Sequence, residues 1–452
     1  MKKLFEPESV AVIGASRDPN SVGYGVLKNL RDGGFFIAKY NQPFEGKVYA
    51  VNPNADDILG YKCYKSVEAI EGKVDLAVIC VPSKIIIPVV NGCIRKKVKA
   101  VIIISAGFAE KGESGRILQD SVVKKLNKAN ITLLGPNCLG LINTGNKLNA
   151  SFAPVMPPSG NVALITQSGA LADSIIDWAV ENSYGFSKIV SVGNSAQKDV
   201  SDFLEYLGRD NLTKVIAIYM EAVADGRKFM RAASKTKKPI VVIKAGKTAE
   251  GEKAIGSHTG SLAGSYEVYE TALKQSGCII AESVEEMFDV AKALAKQPKA
   301  RNDGVAIVTN GGGAGVLCAD ACQQLGIKLA KIKEKVWKRL DKRMHPAYSR
   351  SNPLDLVGDA VPARYEAAIN ELLKQKEVKA MVVIQTLQTM TDTIGNAKAI
   401  VDAHKRFPKK PIVCAFLGGK YTKPGITYLE AHNIPCYGDV NRAVKALMAL
   451  LK

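Results

Sequence analysis

Short apolar runs that end in polar, glycine- or proline-containing turns alternate with helical stretches along this chain. In its first third the apolar runs cover residues 10–13, 46–52, 76–81, 100–104 and 131–134. Near-continuous apolar strands that alternate with helices predict parallel sheets covered by helices on both faces. Ligands of such sheets bind at the carboxyl ends of the strands, which is where the polar turns lie. We therefore expect an α/β protein with doubly wound domains.

Length and two breaks in the pattern predict three domains. A chain of 452 residues suggests about three domains of about 150 residues each. A new strand–turn–helix unit begins after the prolines of 154–158, and the charged stretch 297–303 has the composition of a second linker. The domains are expected over residues 1–150, 151–297 and 304–452.

The last two domains are copies of one another. VAIVTNGGGAGVLCADACQQLG from Val305 echoes VALITQSGALADSIIDWAVENS from Val162, and KKPIVCAFLGG from Lys409 echoes KKPIVVIKAG from Lys237. A repeat of this length indicates a duplicated domain. The second copy has Gln385 and Thr386 in place of an acidic strand end and lacks a histidine segment after its last matched strand. We expect the chemistry in the first copy and scaffolding in the second.

His258 and Glu221 are the candidate catalytic residues of the first copy. His258 is one of four histidines and lies in the run AIGSHTGSLAGS, 254–265, which predicts a mobile loop. An imidazole can hold a phosphoryl group covalently, although a solvated loop histidine is an equally good interpretation. Glu221 follows an apolar strand and can orient a histidine ring; read alone, it is more simply a capping or surface carboxylate.

Two strand-to-helix turns are candidate anion sites. Ser168-Gly169-Ala170 joins a predicted strand directly to a predicted helix. The free N–H groups and the positive dipole end of that helix favour the binding of phosphate. An N-cap serine is the compatible alternative. The turn from Gly14 to Arg17 departs from the G-x-G-x-x-G spacing, and Pro19 interrupts the helix start. It is therefore a poor nicotinamide-dinucleotide site, while a nucleotide whose phosphates approach the backbone stays plausible.

The composition argues against several classes of protein. The formal charge of +19 invites a nucleic-acid hypothesis, but the basic residues are spread out and aromatic residues make up only 6%. The charge better suits anionic small molecules or an acidic partner subunit. No apolar run of about 18 residues predicts a membrane helix, and the N-terminal segment is a poor signal peptide, so we expect a cytoplasmic protein.

The nine cysteines do not predict a metal site. Only Cys318 and Cys322 are close in sequence, and no further ligand residues lie near them. Reduced, buried thiols are the better interpretation.

Several motifs, in order, resemble the α subunits of ADP-forming acetate–CoA ligases. They are AVIGASRDPNSVGYGVLKNL, VNPN, CVPSK, SAGFAE, LGPNCLGLIN, ITQSGALA and GSHTGSLAG. The resemblance covers essentially the whole chain and places it in the superfamily of NDP-forming acyl-CoA synthetases, which includes succinyl-CoA synthetase. It implies an N-terminal Rossmann-like CoA-binding domain followed by two flavodoxin-like domains of the succinyl-CoA-synthetase type.

The resemblance also implies roles for individual residues. His258 matches the phosphorylated histidine, and Glu221 matches the carboxylate that steadies it. The implied CoA contacts are Gly14, Ala15, Ser16, Arg17, Asn52, Pro53, Val81, Pro82, Ser83, Ser105, Ala106, Gly107 and Phe108. The implied acyl and phosphate site consists of Gly135, Pro136, Asn137, Cys138, Gln167, Ser168, Gly169 and Ala170.

The implied reaction converts acetyl-CoA, ADP and phosphate reversibly into acetate, ATP and CoA, through acetyl phosphate and a phosphohistidine. ADP or ATP, with Mg²⁺, is expected on a separate ATP-grasp β subunit, in an assembly of two α and two β chains. A ligase of the succinyl-CoA synthetase kind for another acid and a non-catalytic CoA-binding regulatory protein are the alternatives. A nicotinamide dehydrogenase is disfavoured by the poor dinucleotide motif.

Overall fold

The computed structural model describes residues 1–259 and 265–451, apart from the side chains of 256–259. The described residues form two compact units, Met1–Ile280 and Ala281–Lys452. Two sheets of seven strands lie in the first unit and one sheet of five strands lies in the second. Most strand pairs are parallel, which confirms the predicted α/β class with doubly wound domains.

In the first sheet, the order of the strands changes direction at the strand that comes first in the sequence. Its strands are β1 (Ser9–Ile13), β2 (Lys47–Val51), β3 (Asp57–Ile58), β4 (Tyr61–Tyr64), β5 (Leu76–Ile79), β6 (Ala100–Ile103) and β7 (Thr132–Leu134). The helices are α1 (Lys2–Phe5), α2 (Val22–Asp32), α3 (Ile86–Arg95) and α4 (Glu113–Lys128). The spatial order β3-β4-β2-β1-β5-β6-β7 is that of a Rossmann-like sheet. Its switch point between β1 and β5 is where such sheets bind ligands.

Local sequence explains these elements. Every residue of β1, β5 and β6 is buried, as expected for strands covered on both faces. Helix α2 begins after Ser21, whose Oγ accepts the Tyr24 N–H at 3.2 Å, and ends at Gly33 with a φ of 86°. A serine N-cap and a left-handed glycine at the C-terminus are the usual helix boundaries.

The second sheet is flavodoxin-like with an added hairpin. Its strands are β8 (Gly140–Asn143), β9 (Leu148–Ser151), β10 (Ser159–Thr166), β11 (Phe186–Ser191), β12 (Val215–Met220), β13 (Ile240–Lys244) and β14 (Ile279–Ile280). The helices are α5 (Gly169–Glu181), α6 (Val200–Arg209), α7 (Gly226–Lys235), α8 (Ala249–Thr259) and α9 (Tyr266–Gln275). The order is β14-β13-β12-β10-β11-β8-β9. Strand β8 pairs antiparallel with both β11 and β9.

The third sheet repeats the flavodoxin-like order without the hairpin. It contains β15 (Val305–Thr309), β16 (Leu354–Asp355), β17 (Ala380–Gln385), β18 (Ile412–Phe416) and β19 (Cys436–Tyr437). The helices are α10 (Val284–Lys296), α11 (Gly312–Gln324), α12 (Glu334–Leu340), α13 (Pro362–Leu373), α14 (Thr393–Arg406), α15 (Lys423–Ala431) and α16 (Val440–Leu450). The order β16-β15-β17-β18-β19 matches β11-β10-β12-β13-β14 of the second sheet, as the sequence repeat predicts.

Sheet membership and unit boundaries differ from the expected domain limits at two places. Nearly all of the β8–β9 hairpin precedes the expected boundary at 150, but it belongs to the second sheet because Ile142 pairs with Ile189 of β11. Helix α10 was expected in the middle domain but lies in the second unit, where Arg442 of α16 donates to its Asp289 at 2.6 Å. The limits 1–150, 151–297 and 304–452 stay predictions.

None of the helices in the described part of the chain is both long enough and apolar enough to cross a membrane.

A buried ion pair ties β11 to the end of α6 in the first unit. The side chain of Lys188 is 1% exposed, and its Nζ lies 2.8 Å from an Asp210 carboxylate oxygen. Asp210 also accepts a hydrogen bond from the Thr213 hydroxyl at 2.5 Å. A buried ammonium depends on such a partner, because a lone charge is costly away from water.

We expect Asp210→Ala to lower the free energy of unfolding of the first unit by about 3 kcal/mol, because it leaves a buried ammonium without its counter-ion. Urea unfolding followed by circular dichroism measures the loss. The control is Asp56→Ala, whose partner Lys65 is 62% exposed. That variant should lose less than about 1 kcal/mol. Equal losses in the two variants would contradict the assigned role of the buried pair.

Candidate functional site

The turns after β1, β2 and β5 meet at the carboxyl edge of the first sheet. Asn52 donates its side-chain N–H to the Ala15 carbonyl at 2.8 Å. Gly14 has a φ of 91°, and a Cβ there would lie 2.9 Å from Val81 Cγ1. A side chain at Gly23 would clash with the Gly14 carbonyl oxygen. The glycine spacing that fails the dinucleotide motif therefore serves a close approach of α2 to this turn.

The turn after β6 joins the same cluster. The Ser105 hydroxyl donates to the Val81 carbonyl at 2.5 Å, and a Cβ at Gly107 would lie 2.5 Å from Ser83 Oγ. The structure thus brings together all four turns that were expected to contact CoA. Arg17 is exposed and donates to the Asp57 carbonyl at 3.2 Å. The Phe108 side chain, by contrast, is fully buried in the core, so it cannot offer its ring to a ligand.

Glu110 holds the turn after β6, and the sequence analysis did not identify it. Its Oε1 accepts the backbone N–H groups of Gly107 and Phe108, and its Oε2 accepts from the Asn194 side chain at 2.6 Å. Burial by itself raises the pKa of Glu110, but these hydrogen bonds outweigh it and hold the pKa below its ordinary value. Asn194 also accepts from the Asn137 side chain at 3.2 Å, so the carboxylate links two predicted binding segments.

The serine turn at the start of α5 has the predicted form. Ser168 is the N-cap, since its Oγ accepts the Leu171 N–H at 3.2 Å, and Thr166 Oγ1 accepts the Ser168 N–H at 3.0 Å. The N–H groups of Gly169 and Ala170 belong to the first turn, which no carbonyl of the helix reaches. With the positive end of the helix dipole, they form a site suited to an anion.

A cavity of about 510 Å³ in the first unit joins the two halves of the predicted site. Eight predicted residues line it: Ser105, Ala106, Asn137, Cys138, Gln167, Ser168, Gly169 and Ala170. Six further residues, which the sequence analysis did not single out, complete the lining: Val22, Cys80, Ile104, Leu139, Phe152 and Asp173. The lining thus combines a polar end at the α5 N-terminus with an apolar wall.

The segment Gly135 to Cys138 lies between the first two sheets. The Asn137 N–H donates to the Ser105 carbonyl at 3.1 Å, and the Asn194 N–H donates to the Pro136 carbonyl at 2.9 Å. Burial raises the pKa of the Cys138 thiol to about 12, and burial beside Cys138 raises that of Cys80 to about 12 as well. Both thiols are therefore protonated and act as small apolar groups in the cavity wall.

Glu221 lies beside the serine turn, at the end of β12. Its side chain is 5% exposed, and Gln167 Oε1 accepts the N–H groups of Glu221 at 2.6 Å and of Ala222 at 3.0 Å. Gln167 therefore contacts both the cavity and the backbone that carries the predicted carboxylate. Lys244, at the end of neighbouring β13, stacks on the Tyr269 ring at 4.5 Å. Burial lowers the pKa of Lys244, while Glu252 and Glu221 oppose that shift.

The segment that carries His258 begins as a helix rather than the expected loop. Helix α8 runs Ala249–Thr259, because Thr248 Oγ1 accepts the Gly251 N–H at 3.2 Å and acidic residues occupy the first turn. Glu252 accepts the Tyr266 N–H at 3.1 Å, which brings the start of α9 back to α8. The His258 side chain lies outside the described part of the structure.

The third sheet keeps the backbone arrangement of this site but not its carboxylate. Asn310 takes the place of Gln167 and accepts the Thr386 N–H at 2.8 Å, as Gln167 accepts the N–H of Glu221. Thr386 stands where the acidic residue stands in the first copy, and one helix, α15, connects β18 to β19. These differences agree with the expected division between chemistry and scaffolding.

Comparison with known proteins places the chain in a family. Domain models match it in series as a CoA binding domain over 8–144, a succinyl-CoA ligase-like flavodoxin domain over 159–294 and a Ligase-CoA domain over 305–450. The chain is 45% identical to acetate–CoA ligase [ADP-forming] I of Archaeoglobus fulgidus, over 100% of this chain and 63% of that protein. This chain therefore spans less than two thirds of that longer relative.

Two relatives match along nearly their whole length. The α subunit of acetate–CoA ligase [ADP-forming] I of Pyrococcus furiosus is 42% identical, over 100% of this chain and 97% of that protein. The solved dinucleotide-forming acetyl-coenzyme A synthetase 1 of Ca. Korarchaeum cryptofilum, in complex with phosphate and ADP, is 40% identical with a TM-score of 0.92, over 99% of this chain and 96% of that one. The predicted resemblance is confirmed: this chain belongs to the family of ADP-forming acetate–CoA ligases.

Proposed function

We propose that this chain is the α subunit of an ADP-forming acyl-CoA synthetase that reversibly converts acetyl-CoA, ADP and phosphate into acetate, ATP and CoA. The observation that carries this proposal is the cavity in which a turn of the CoA-binding cluster, Ser105-Ala106, faces the anion-binding N-terminus of α5 at Ser168. Such a cavity holds a thioester and a phosphate side by side and excludes most water.

In the first step, phosphate bound at the α5 N-terminus attacks the thioester carbonyl carbon. A new C–O bond forms as the C–S bond breaks, and CoA leaves as the thiol with a proton. Gln167 to Ala170 hold the phosphate, while Asn137 and Cys138 form the wall against which the acyl group lies. The N–H groups of the first helical turn stabilise the negative charge of the attacking phosphate.

In the second step, the His258 imidazole attacks the phosphorus of acetyl phosphate. The P–N bond forms as the bond to the acetyl oxygen breaks, and acetate leaves. Glu221 accepts a hydrogen bond from the other ring nitrogen, which orients the ring and favours its positive charge. Covalent transfer on histidine allows the thioester site and the nucleotide site to lie far apart.

The phosphoryl group then passes to ADP on a partner chain. We assign ADP or ATP with Mg²⁺ to an ATP-grasp β subunit and expect two α and two β chains in the assembly. Three observations support a partner: the Pyrococcus furiosus relative is named as a subunit, this chain spans 63% of its Archaeoglobus fulgidus relative, and its charge of +19 suits an acidic neighbour. Nine free cysteines suit a cytoplasmic site of action.

His258→Ala should abolish labelling of this chain by radioactive phosphate in the presence of acetyl-CoA. The imidazole is the proposed carrier, and phosphohistidine is recognised because the label is lost in acid and kept in base. His432→Ala, a change at an exposed histidine of the second unit, is the matched control and should keep full labelling. Equal labelling of the His258 variant would end the proposal.

Glu221→Gln should slow phosphorylation of the chain by about 10- to 100-fold, by analogy with the loss of carboxylates that orient metal-binding histidines. CoA affinity, measured by calorimetry, should stay the same, since Glu221 lies in none of the four turns that are expected to contact CoA. The control is Glu181→Gln at the exposed end of α5. A variant that loses CoA affinity but keeps its phosphorylation rate would show that the assigned role is wrong.

Glu110→Ala should weaken CoA binding by about tenfold, because two backbone N–H groups and Asn194 lose a charged acceptor. Glu110→Gln keeps one acceptor, so its CoA affinity should lie between that of the alanine variant and that of the unchanged chain. Glu113→Ala removes an 80% exposed carboxylate three residues later and serves as the control. Unchanged CoA affinity in the alanine variant, measured by calorimetry, would contradict a positioning role for Glu110.

A further inference from the structure

Asp173 lines the cavity of about 510 Å³ that holds the candidate site, and it is a charged residue. Among the described residues that line this cavity, no other side chain is charged at neutral pH. An adjoining groove of about 420 Å³ is also lined by Asp173. Val22 and Phe152 likewise line both the cavity and this groove. The groove adds the rings of Phe35 and Phe36 and contributes no basic side chain.

The carboxylate of Asp173 has no partner among the described residues. Its Oδ1 is buried and accepts no hydrogen bond, and no described lysine, arginine or histidine pairs with it. Burial raises the pKa of Asp173 to about 6. A carboxylate that is partly removed from water without compensation destabilises the folded chain, and such a cost in a cleft points to a role in binding.

The position of Asp173 along α5 defines which part of a substrate it meets. Asp173 follows Ser168 by five residues, which corresponds to about 7.5 Å along the helix axis. The reacting carbonyl belongs at the Ser168 end, where the anion site lies. Because Asp173 lines the same cavity more than one helical turn from that end, we place it at the far end of a short acyl chain, beyond the carbonyl carbon.

We propose that Asp173 gives the site, beside its proposed activity on the acetyl group, a preference among longer acyl chains for those that end in a hydrogen-bond donor, a hydroxyl or an ammonium group. The inference rests on the proposed function and names the substrate class of that site. A terminal donor satisfies the carboxylate, and an ammonium also neutralises it. A terminal methyl group leaves it unsatisfied, and a terminal carboxylate places two like charges together. The site therefore discriminates against dicarboxylic acids, whose second carboxylate would meet Asp173.

The test compares thioesters that differ only at the end of the acyl chain. Butyryl-CoA, 3-hydroxypropionyl-CoA and β-alanyl-CoA place a methyl, a hydroxyl and an ammonium group at the same position, and malonyl-CoA places a carboxylate there. Calorimetry on the full chain measures the dissociation constant of each, with free CoA as reference. The hydroxyl and ammonium thioesters should bind about tenfold tighter than butyryl-CoA, and malonyl-CoA should bind most weakly.

Asp173→Asn and Asp173→Leu are the diagnostic variants. Asp173→Leu should remove the preference for a terminal donor, and Asp173→Asn should remove the extra preference for the ammonium group. Neither should lower the thermal unfolding midpoint, because each removes an uncompensated buried carboxylate. Asp177→Asn makes the same charge change at an exposed position one turn further along α5. It should leave the ratios between the dissociation constants of the four thioesters unchanged.

Each outcome separates this inference from the proposed function. If the unchanged chain binds all four thioesters within a factor of two, the function stands and the selectivity inference falls. If the Asp173 variants weaken free CoA and every thioester equally, the carboxylate binds the CoA arm and the inference is again wrong. If the unchanged chain binds neither CoA nor any thioester, the proposed function itself fails.

Discussion

The parallel pairing of β1 with β5 and of β10 with β12 is the constraint on which the candidate site depends. Parallel neighbours end at the same edge, so the polar turns that follow them converge there, and hydrogen bonds such as that from Ser105 to the Val81 carbonyl then join them. Ser105 follows β6 of the first sheet and Ser168 follows β10 of the second, and both line one cavity.

Two side-chain hydrogen-bond acceptors hold the turns of the candidate site in fixed positions. Glu110 accepts from the turn after β6 and from Asn194, and Gln167 accepts from the backbone at Glu221. Each acceptor joins segments that are far apart in the chain, and each satisfies backbone N–H groups that would otherwise lie unbonded in a partly buried turn. The site is therefore held by polar contacts on an apolar scaffold, with the charge of Glu110 strengthening its bonds.

The two copies share a strand order, and the candidate site lies in the first of them. Asn310 reproduces the backbone contact of Gln167, which shows that this contact is structural and independent of the chemistry. The copies differ at Glu221 against Thr386, at Asp173, and in the added helix α8 with His258. An unpaired carboxylate in a cavity costs stability, and Asp173 belongs to the copy that carries the candidate site, which supports the binding role proposed for it.

The sequence by itself determined the main strands, the serine cap, the repeat and the location of the turns that meet at the candidate site, since each follows from local periodicity and turn chemistry. It missed Glu110, Asp173 and the β8–β9 hairpin, which belongs to the second sheet. The bond from Asn194 to Glu110 joins residues 84 positions apart, and the pairing of Ile142 with Ile189 is also distant in sequence. Only the tertiary structure decides such contacts, because burial and partners depend on how separate elements pack.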